Sequence, residues 1–523
     1  MNTDDPQKIR ILLDLKPAFD GYGGIPQETR LLFSGLRALS ERFEVEGLIQ
    51  HGSRRLKPAL STSRRQVPIP RQVNKLSRMV VSVYKDPYGG WLEQASDAID
   101  RYFALSFLRL RITAGLALTP TVFQSDLFDD FTWRTFFSKT LKPEDKAGVT
   151  GARYRILRNS KKIFHKAGLA GLRFSQQPRY VNINTRGFDY FVAETPYPAR
   201  VSAATRLVVR YHDAVPVLMP HTIDDKAFHQ ASHFYALQEN VKAGAWFSCV
   251  SEATRTDLLR IFPEVEARSH VIHNVVSGEY FEENSPKRLV YQIARTRLAD
   301  VSEFGTDLTG LTFDASQQRG RDLQYLLMVS TLEPRKNHLL LMRAWERLKY
   351  TSMPGLKLIV VGNQGWDYKP ILQAFRPWAE RGDLLYLNNV PSDELRVLYR
   401  HAAATVCPSL AEGFDYSGIE AMASGGVVVA SDIPVHREVF DGASAYFNPY
   451  SQDDAAGVLQ QVLGGEGGGL REQLLILSTY PMQTWEGGGM REQLQRAGRQ
   501  VAQRYTQAAI LPQWENFFET SRR

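Results

Sequence analysis

Ala404-Thr-Val-Cys-Pro-Ser-Leu-Ala-Glu-Gly-Phe-Asp-Tyr-Ser-Gly-Ile-Glu-Ala-Met-Ala-Ser-Gly425 passes from a short apolar run, through a glycine-bearing turn, into a helical pattern. A helix that starts directly after a strand leaves its first backbone N–H groups unpaired at the positive end of its dipole, and an anion finds donors there. The pattern predicts a helix start near Ser417, with the N–H groups of Asp415 to Ile419 turned toward a ligand. Glu412 then precedes the helix and Glu420 falls in its first turn. Two glutamates eight apart are common. Their placement on either side of a strand-to-helix turn is much less so.

Around this stretch the same rhythm repeats. Leu323 to Val329, Leu356 to Val361, Leu384 to Leu387, Ala404 to Cys407, Val427 to Ala430 and Ala445 to Phe447 are near-continuous apolar runs separated by helix-like segments. Such runs predict a parallel sheet covered on both faces. The first half begins likewise, with the apolar Lys8 to Leu15, the turn Gly21-Tyr-Gly-Gly24 and a helical pattern from Gln27 to Leu39. Further strands are expected at Phe188 to Ala193, Arg206 to Tyr211, Trp246 to Val250 and His270 to Asn274. The fold class is therefore α/β, with two Rossmann-like domains facing each other across a cleft at the carboxyl ends of their strands. The expected division is residues 1–290 and 291–500, with a C-terminal helix at 501–523 that would pack back on the first domain. Between about 52 and 185 the rhythm is lost in a basic, aromatic stretch, read as an insertion.

With 523 residues the chain exceeds what one core supports. The formal net charge of +8 favours anionic partners, and its excess lies before residue 180. No recurrent nucleic-acid signature accompanies these basic runs, so nucleic acid is not an expected partner. Tyr102 to Leu118, the longest apolar stretch, is broken by Arg109 and Arg111. It reads as a buried helix or one lying on a membrane surface, not as a span. The two cysteines, Cys249 and Cys407, lie in separate apolar runs, so no disulfide is expected. The N-terminal residues lack a signal-peptide pattern, and a cytoplasmic location is the expectation. Glu466-Gly-Gly-Gly-Leu-Arg-Glu-Gln-Leu474 recurs at 486–494 with Met in place of Leu, and no function is attached to this duplication.

The 404–425 stretch resembles the Glu-x7-Glu motif of the retaining glycosyltransferases of family 4. Other segments are similar in order and spacing: Val329-Ser-Thr-Leu-Glu-Pro-Arg-Lys-Asn-His338, Val360-Val-Gly-Asn-Gln-Gly-Trp366, Tyr211-His-Asp-Ala-Val-Pro216 and Val250 to Leu258. The likeness covers residues 200 to 450 well and the insertion hardly at all. Asp415-Tyr-Ser-Gly418 departs from the commoner Gly-Leu-Pro-x, and Ser330 stands where Gly is usual.

The resemblance implies that Arg335 and Lys336 hold the diphosphate of a nucleoside diphosphate sugar, that Glu420 takes the ribose hydroxyls and that Glu412 lies near the reacting sugar carbon. It places Asp415, Tyr416, Ser417 and Gly418 beside the donor, and His212 at the sugar or its developing charge. Gly23 and Gly24 would let a loop approach the phosphates or the acceptor. Asp213 either orients His212 or caps the following segment. The implied reaction moves a hexose, with mannose from GDP-mannose the first choice and UDP-sugars next, to a lipid-linked saccharide of a bacterial surface polysaccharide such as lipopolysaccharide. The configuration would be retained, the donor phosphate assisting proton removal and closure of the domains limiting hydrolysis. No cofactor and no metal are expected. Phosphorylase and epimerase reactions on similar architectures, and an inactive glycan-binding or scaffold subunit, are the rivals.

Overall fold

The computed structural model describes residues 8–19, 21–51, 68–83, 90–173, 176–299, 323–464 and 489–522. The first copy of the duplicated segment and part of the second lie outside the described residues. The chain divides into two units, one of residues 1–220, 225–250 and 254–272, the other of 221–224, 251–253 and 273–523. The terminal helix Gln507–Arg522 falls within the range of the second.

The first unit contains β1 (Ile9–Asp14), β2 (Phe43–His51), β3 (Thr121–Phe123), β4 (Tyr154–Arg158), β5 (Val181–Asn182), β6 (Tyr190–Ala193), β7 (Ala199–Arg200), β8 (Arg206–Tyr211), β9 (Trp246–Cys249) and β10 (Ser269–Val271). Eight of them form a sheet in the order β10-β9-β8-β6-β1-β2-β4-β3, parallel except for β3. Two strands of this sheet, β3 and β4, come from the stretch read as an insertion, as does β5 outside it, so that stretch contributes to the sheet itself. β4 was hidden by its arginines. Arg155 reaches across to Glu46 on β2 at 2.6 Å, so the charge is paired where the strand is covered. Leu12, Phe191, Val209 and Phe247 fill the core beneath.

The second unit contains β11 (Tyr325–Val329), β12 (Lys357–Val361), β13 (Leu384–Leu387), β14 (Ala404–Cys407), β15 (Val428–Ser431) and β16 (Ser444–Phe447). They form one parallel sheet in the order β13-β12-β11-β14-β15-β16. Leu326, Met328, Leu358, Val406 and Trp345 belong to its core.

In each sheet the chain winds outward in both directions from a switch point, between β1 and β6 in the first and between β11 and β14 in the second. The loops leaving two adjacent parallel strands there diverge, which opens a crevice at their carboxyl ends. The site residues predicted from sequence follow β11 and β14.

One packing contact fixes the helix after β14. A Cβ built on Gly418 would overlap the Phe440 ring. Helix propensity alone would favour alanine by about 1 kcal/mol. Overpacking a closed site costs about 1–3 kcal/mol. Gly418→Ala is therefore expected to lower the thermal midpoint, followed by circular dichroism, and a raised midpoint would contradict this packing.

Candidate active site

In the second unit the chain leaves β11 and turns through Pro334–Lys336 to Asn337, whose φ of 61° is left-handed. Asn337 Nδ2 donates to the carbonyls of Pro408 at 3.1 Å and Pro449 at 2.9 Å. The N–H of Leu410 donates to the Arg335 carbonyl at 2.9 Å. These bonds tie the turn after β11 to the loop after β14, which is why Arg335 and Lys336 meet Glu412 across a gap of more than seventy residues in sequence.

The Arg335 guanidinium donates to Glu412 Oε2 at 2.8 Å, to the Ala411 carbonyl at 2.6 Å and to Glu333 Oε1 at 2.7 Å. Lys336 Nζ donates to Glu412 Oε1, and Ser409 Oγ donates to the same oxygen at 2.7 Å. Burial would push the Glu412 carboxyl up, but Arg335 and Lys336 outweigh it and hold it below the usual carboxylate range. Glu333 goes the other way: burial dominates and raises it despite Arg335. The site thus gathers two cations and a committed carboxylate in a nearly closed setting, where charge interactions are stronger than in water.

Asp415 stands at the start of the helix Tyr416–Ala423 with a left-handed φ of 59°. Its Oδ1 accepts from the N–H of Ser417 at 3.2 Å and from Ser417 Oγ at 2.6 Å. The expectation that these N–H groups are all open to a ligand is corrected here, because the protein's own carboxylate caps Ser417. The other oxygen lies 3.1 Å from His436 Nε2, whose Nδ1 faces the Ser431 carbonyl at 2.9 Å. Burial raises the Asp415 carboxyl, while the His436 hydrogen bond and Lys336 lower it further, leaving it well below the usual range. His436 was missed from sequence, where it looks like an ordinary helix residue after a proline. Its position just past β15 is the only signal.

Glu420 sits in the second turn of that helix, not the first, since the helix starts at Tyr416. Tyr399 OH donates to its Oε2 at 3.1 Å. Tyr416 lies near the Phe414 ring, with centroids 5.2 Å apart. Glu333, Arg335, Lys336, Ser409 and Glu412 form one cluster and Asp415, Ser417 and His436 an adjoining one. Glu420 lies apart with Tyr399.

His212, Gly23 and Gly24 belong to the first unit. Gly24 has φ 64° and precedes the helix Ile25–Ala38, so glycine is required by the backbone, whereas a side chain at Gly23 would meet only open space. His212 follows β8, with Nε2 3.4 Å from Glu194 Oε2 just past β6. Burial and the nearby Arg210 push His212 down to about 4, which leaves it neutral at pH 7, and burial pushes Glu194 up to about 8. Asp213 Oδ1 accepts from the Val215 N–H at 3.0 Å, at the start of the following segment. Asp14 closes β1 and pairs with Lys161 at 2.6 Å. Glu194 and Asp14 were not read from sequence, although an acid at the end of an apolar strand is a visible signal.

Residues 312–474 match the family model described as glycosyl transferases group 1. The chain is 26% identical over 260 residues to the O-antigen chain mannosyltransferase B of Escherichia coli, covering 49% of this chain and 61% of that protein. It is 33% identical over 158 residues to the O-antigen chain mannosyltransferase RfbU of Salmonella typhimurium, covering 30% and 43%. The matches thus span less than two thirds of these relatives' length. Among solved structures, sucrose-phosphate synthase from Thermosynechococcus elongatus aligns over 98% of this chain and 99% of that one, with a TM-score of 0.52 at 13% identity. That likeness speaks for the fold alone. Two Rossmann-like units of this kind define the GT-B class. The likeness to the group 1 glycosyl transferases covers residues 312–474, less than half of the chain.

Among the described residues no helix is long and apolar enough to cross a membrane.

Proposed function

We propose that the protein transfers a hexose, mannose first, from a nucleoside diphosphate sugar to a growing lipid-linked polysaccharide, with retention of configuration. The observation that carries this reading is the meeting of Arg335, Lys336 and Glu412 at the switch point of the second sheet. The names of the two O-antigen relatives support the choice of mannose and of a surface polysaccharide.

In this reading the donor diphosphate competes with Glu412 for the two cations, which then stabilise the charge that builds as the bond from sugar carbon to phosphate oxygen breaks. Glu412 turns to the sugar near the reacting carbon. The acceptor oxygen bonds to that carbon on the same face, and its proton passes to the departing phosphate. Glu420 takes the ribose hydroxyls, and Asp415, Tyr416, Ser417 and Gly418 border the donor. His212, being neutral, offers the sugar a hydrogen bond without charge. Gly23 and Gly24 keep their loop free of side chains for the phosphates or the acceptor. The positive charge comes from the protein, so the reading requires neither metal nor cofactor.

A thermal-shift titration with GDP, UDP, ADP and their sugars tests it. A ligand at a hundred times its Kd adds about 2.7 kcal/mol to native stability. The expected result is selective stabilisation by GDP and GDP-mannose that is lost in Lys336→Ala. An equal shift in Lys336→Ala, or no shift with any nucleotide, counts against the assignment.

A further inference from the structure

β14 and β15 are neighbours in the second sheet, so the loops that leave them lie side by side. The first carries Asp415, and the second leads from Ser431 to His436. The His436 ring is fully buried and stacks on the Phe440 ring, with centroids 4.9 Å apart and planes 18° from parallel. The protons on this ring follow from what its neighbours can accept. A ring nitrogen either donates through N–H or accepts through its lone pair. Nδ1 lies 2.9 Å from the Ser431 carbonyl, which can only accept. Ser431 Oγ is also near, at 3.1 Å, but its single proton goes to the Ser409 carbonyl at 2.5 Å. Nδ1 therefore carries a proton and donates it.

Nε2 lies 3.1 Å from Asp415 Oδ2, and one proton bridges the two atoms. Three features keep Asp415 a carboxylate. Its Oδ1 accepts from both the N–H and the hydroxyl of Ser417, it stands at a helix start, and Lys336 helps to lower it against its burial. The bridging proton then belongs to Nε2, and the imidazole is protonated on both nitrogens. The charge this places in the site bears on Arg335 and Lys336. Both are bonded to Glu412, and Asp415 sets a second carboxylate in the field of Lys336. Glu333, bonded to Arg335, opposes them less, because burial raises it. Two cations opposed by two carboxylates have no surplus charge for a diphosphate. A positive His436 held against Asp415 restores that surplus.

We propose that His436 is an imidazolium that offsets Asp415 and so leaves Arg335 and Lys336 the positive charge with which to hold a nucleoside diphosphate. His436 acts through Asp415 and is a positioning residue. Its effect on nucleotide rests on the proposed donor site, whereas its protonation does not.

Nitrogen-15 spectra of the nucleotide-free full chain, labelled at histidine and assigned by comparison with His436→Gln, read the protonation. Both ring nitrogens of His436 are expected to appear as N–H. A ring protonated on Nδ1 alone would put the proton on Asp415 and overturn the proposal. Calorimetric titration with GDP, UDP and ADP reads the effect on nucleotide, with a thermal melt beside each variant. His436→Gln should bind the preferred nucleotide at least about tenfold more weakly, because Asp415 is left as a buried carboxylate that turns its charge on Lys336. Asparagine keeps the shape of Asp415 and tolerates its left-handed φ of 59°. Asp415→Asn/His436→Gln should therefore recover to within about threefold of the native affinity, a coupling that independent sites do not show. A loss that persists in the double variant would mean that His436 serves packing alone, and would overturn the proposal. Native affinity in His436→Gln would overturn it as well. A native chain that binds none of the nucleotides, with both ring nitrogens as N–H, would overturn the donor site and the nucleotide effect with it.

Discussion

Glu412→Gln is expected to lower sugar-transfer turnover by about a hundredfold or more while nucleoside diphosphate binding holds or tightens. The substitution keeps the shape of the side chain and leaves an oxygen for Ser409 Oγ, which donates to Glu412 at 2.7 Å. What it removes is a negative charge bonded to both Arg335 and Lys336. The two cations then meet a diphosphate without a competing carboxylate, and charge-assisted bonds are worth about 1.5–3 kcal/mol each. Groups aimed at charge that develops during reaction are worth about a hundredfold to a thousandfold in rate, so turnover falls even as binding improves. Lys336→Ala should differ, weakening binding and turnover together. Calorimetric titration with the nucleoside diphosphate and steady-state release of nucleoside diphosphate from the donor measure the two effects separately. Loss of binding in Glu412→Gln would mean that the carboxylate organises the cations and does not compete for them.

The largest stability effect is expected at Arg210→Met. Arg210 and Glu28 are both fully buried and pair at 2.8 Å, with Arg210 also donating to Ser248 Oγ at 2.8 Å and to the Ile272 carbonyl. Removing one member of a buried pair leaves the other charge uncompensated, at a cost of about 3–5 kcal/mol. For a unit of this size that lowers the melting midpoint by about 6–20 °C. The double variant Arg210→Met/Glu28→Met should recover much of the loss, since apolar replacement of both partners is often neutral. Arg210 also helps hold His212 down to about 4, after burial, so its loss should let the imidazole titrate at higher pH. Scanning calorimetry and the pH dependence of the His212 proton resonances read these outcomes. A double variant no better than the single one would contradict the charge argument.

The second unit was legible because its strands are apolar on both faces. β13 and β14 fall where the apolar runs end, and the other four strands start or stop within two residues of expectation. The first unit was less legible where charge enters the sheet. β2 carries Glu44, Glu46 and Gln50, and neither it nor β4 stands out as apolar. Pairing explains both, since Glu46 is buried against Arg155. At the site, Glu412 was readable from its strand-to-helix turn, whereas Arg335 and Lys336 came from the family resemblance and their meeting with Glu412 shows only in the folded chain. His436 and Tyr399 were not readable, because each acts on a carboxylate from a different strand loop or helix, and only the folded chain brings them there. The capping of Ser417 by Asp415 was equally hidden, as it depends on a left-handed φ at a residue other than glycine.

A crystal structure of the protein with the nucleoside diphosphate that stabilises it most tests the account directly. The account predicts the diphosphate within hydrogen-bonding distance of Lys336 Nζ and the Arg335 guanidinium, with Glu412 displaced from at least one of them. A nucleotide bound elsewhere, with Glu412 still closed on both cations, would contradict it.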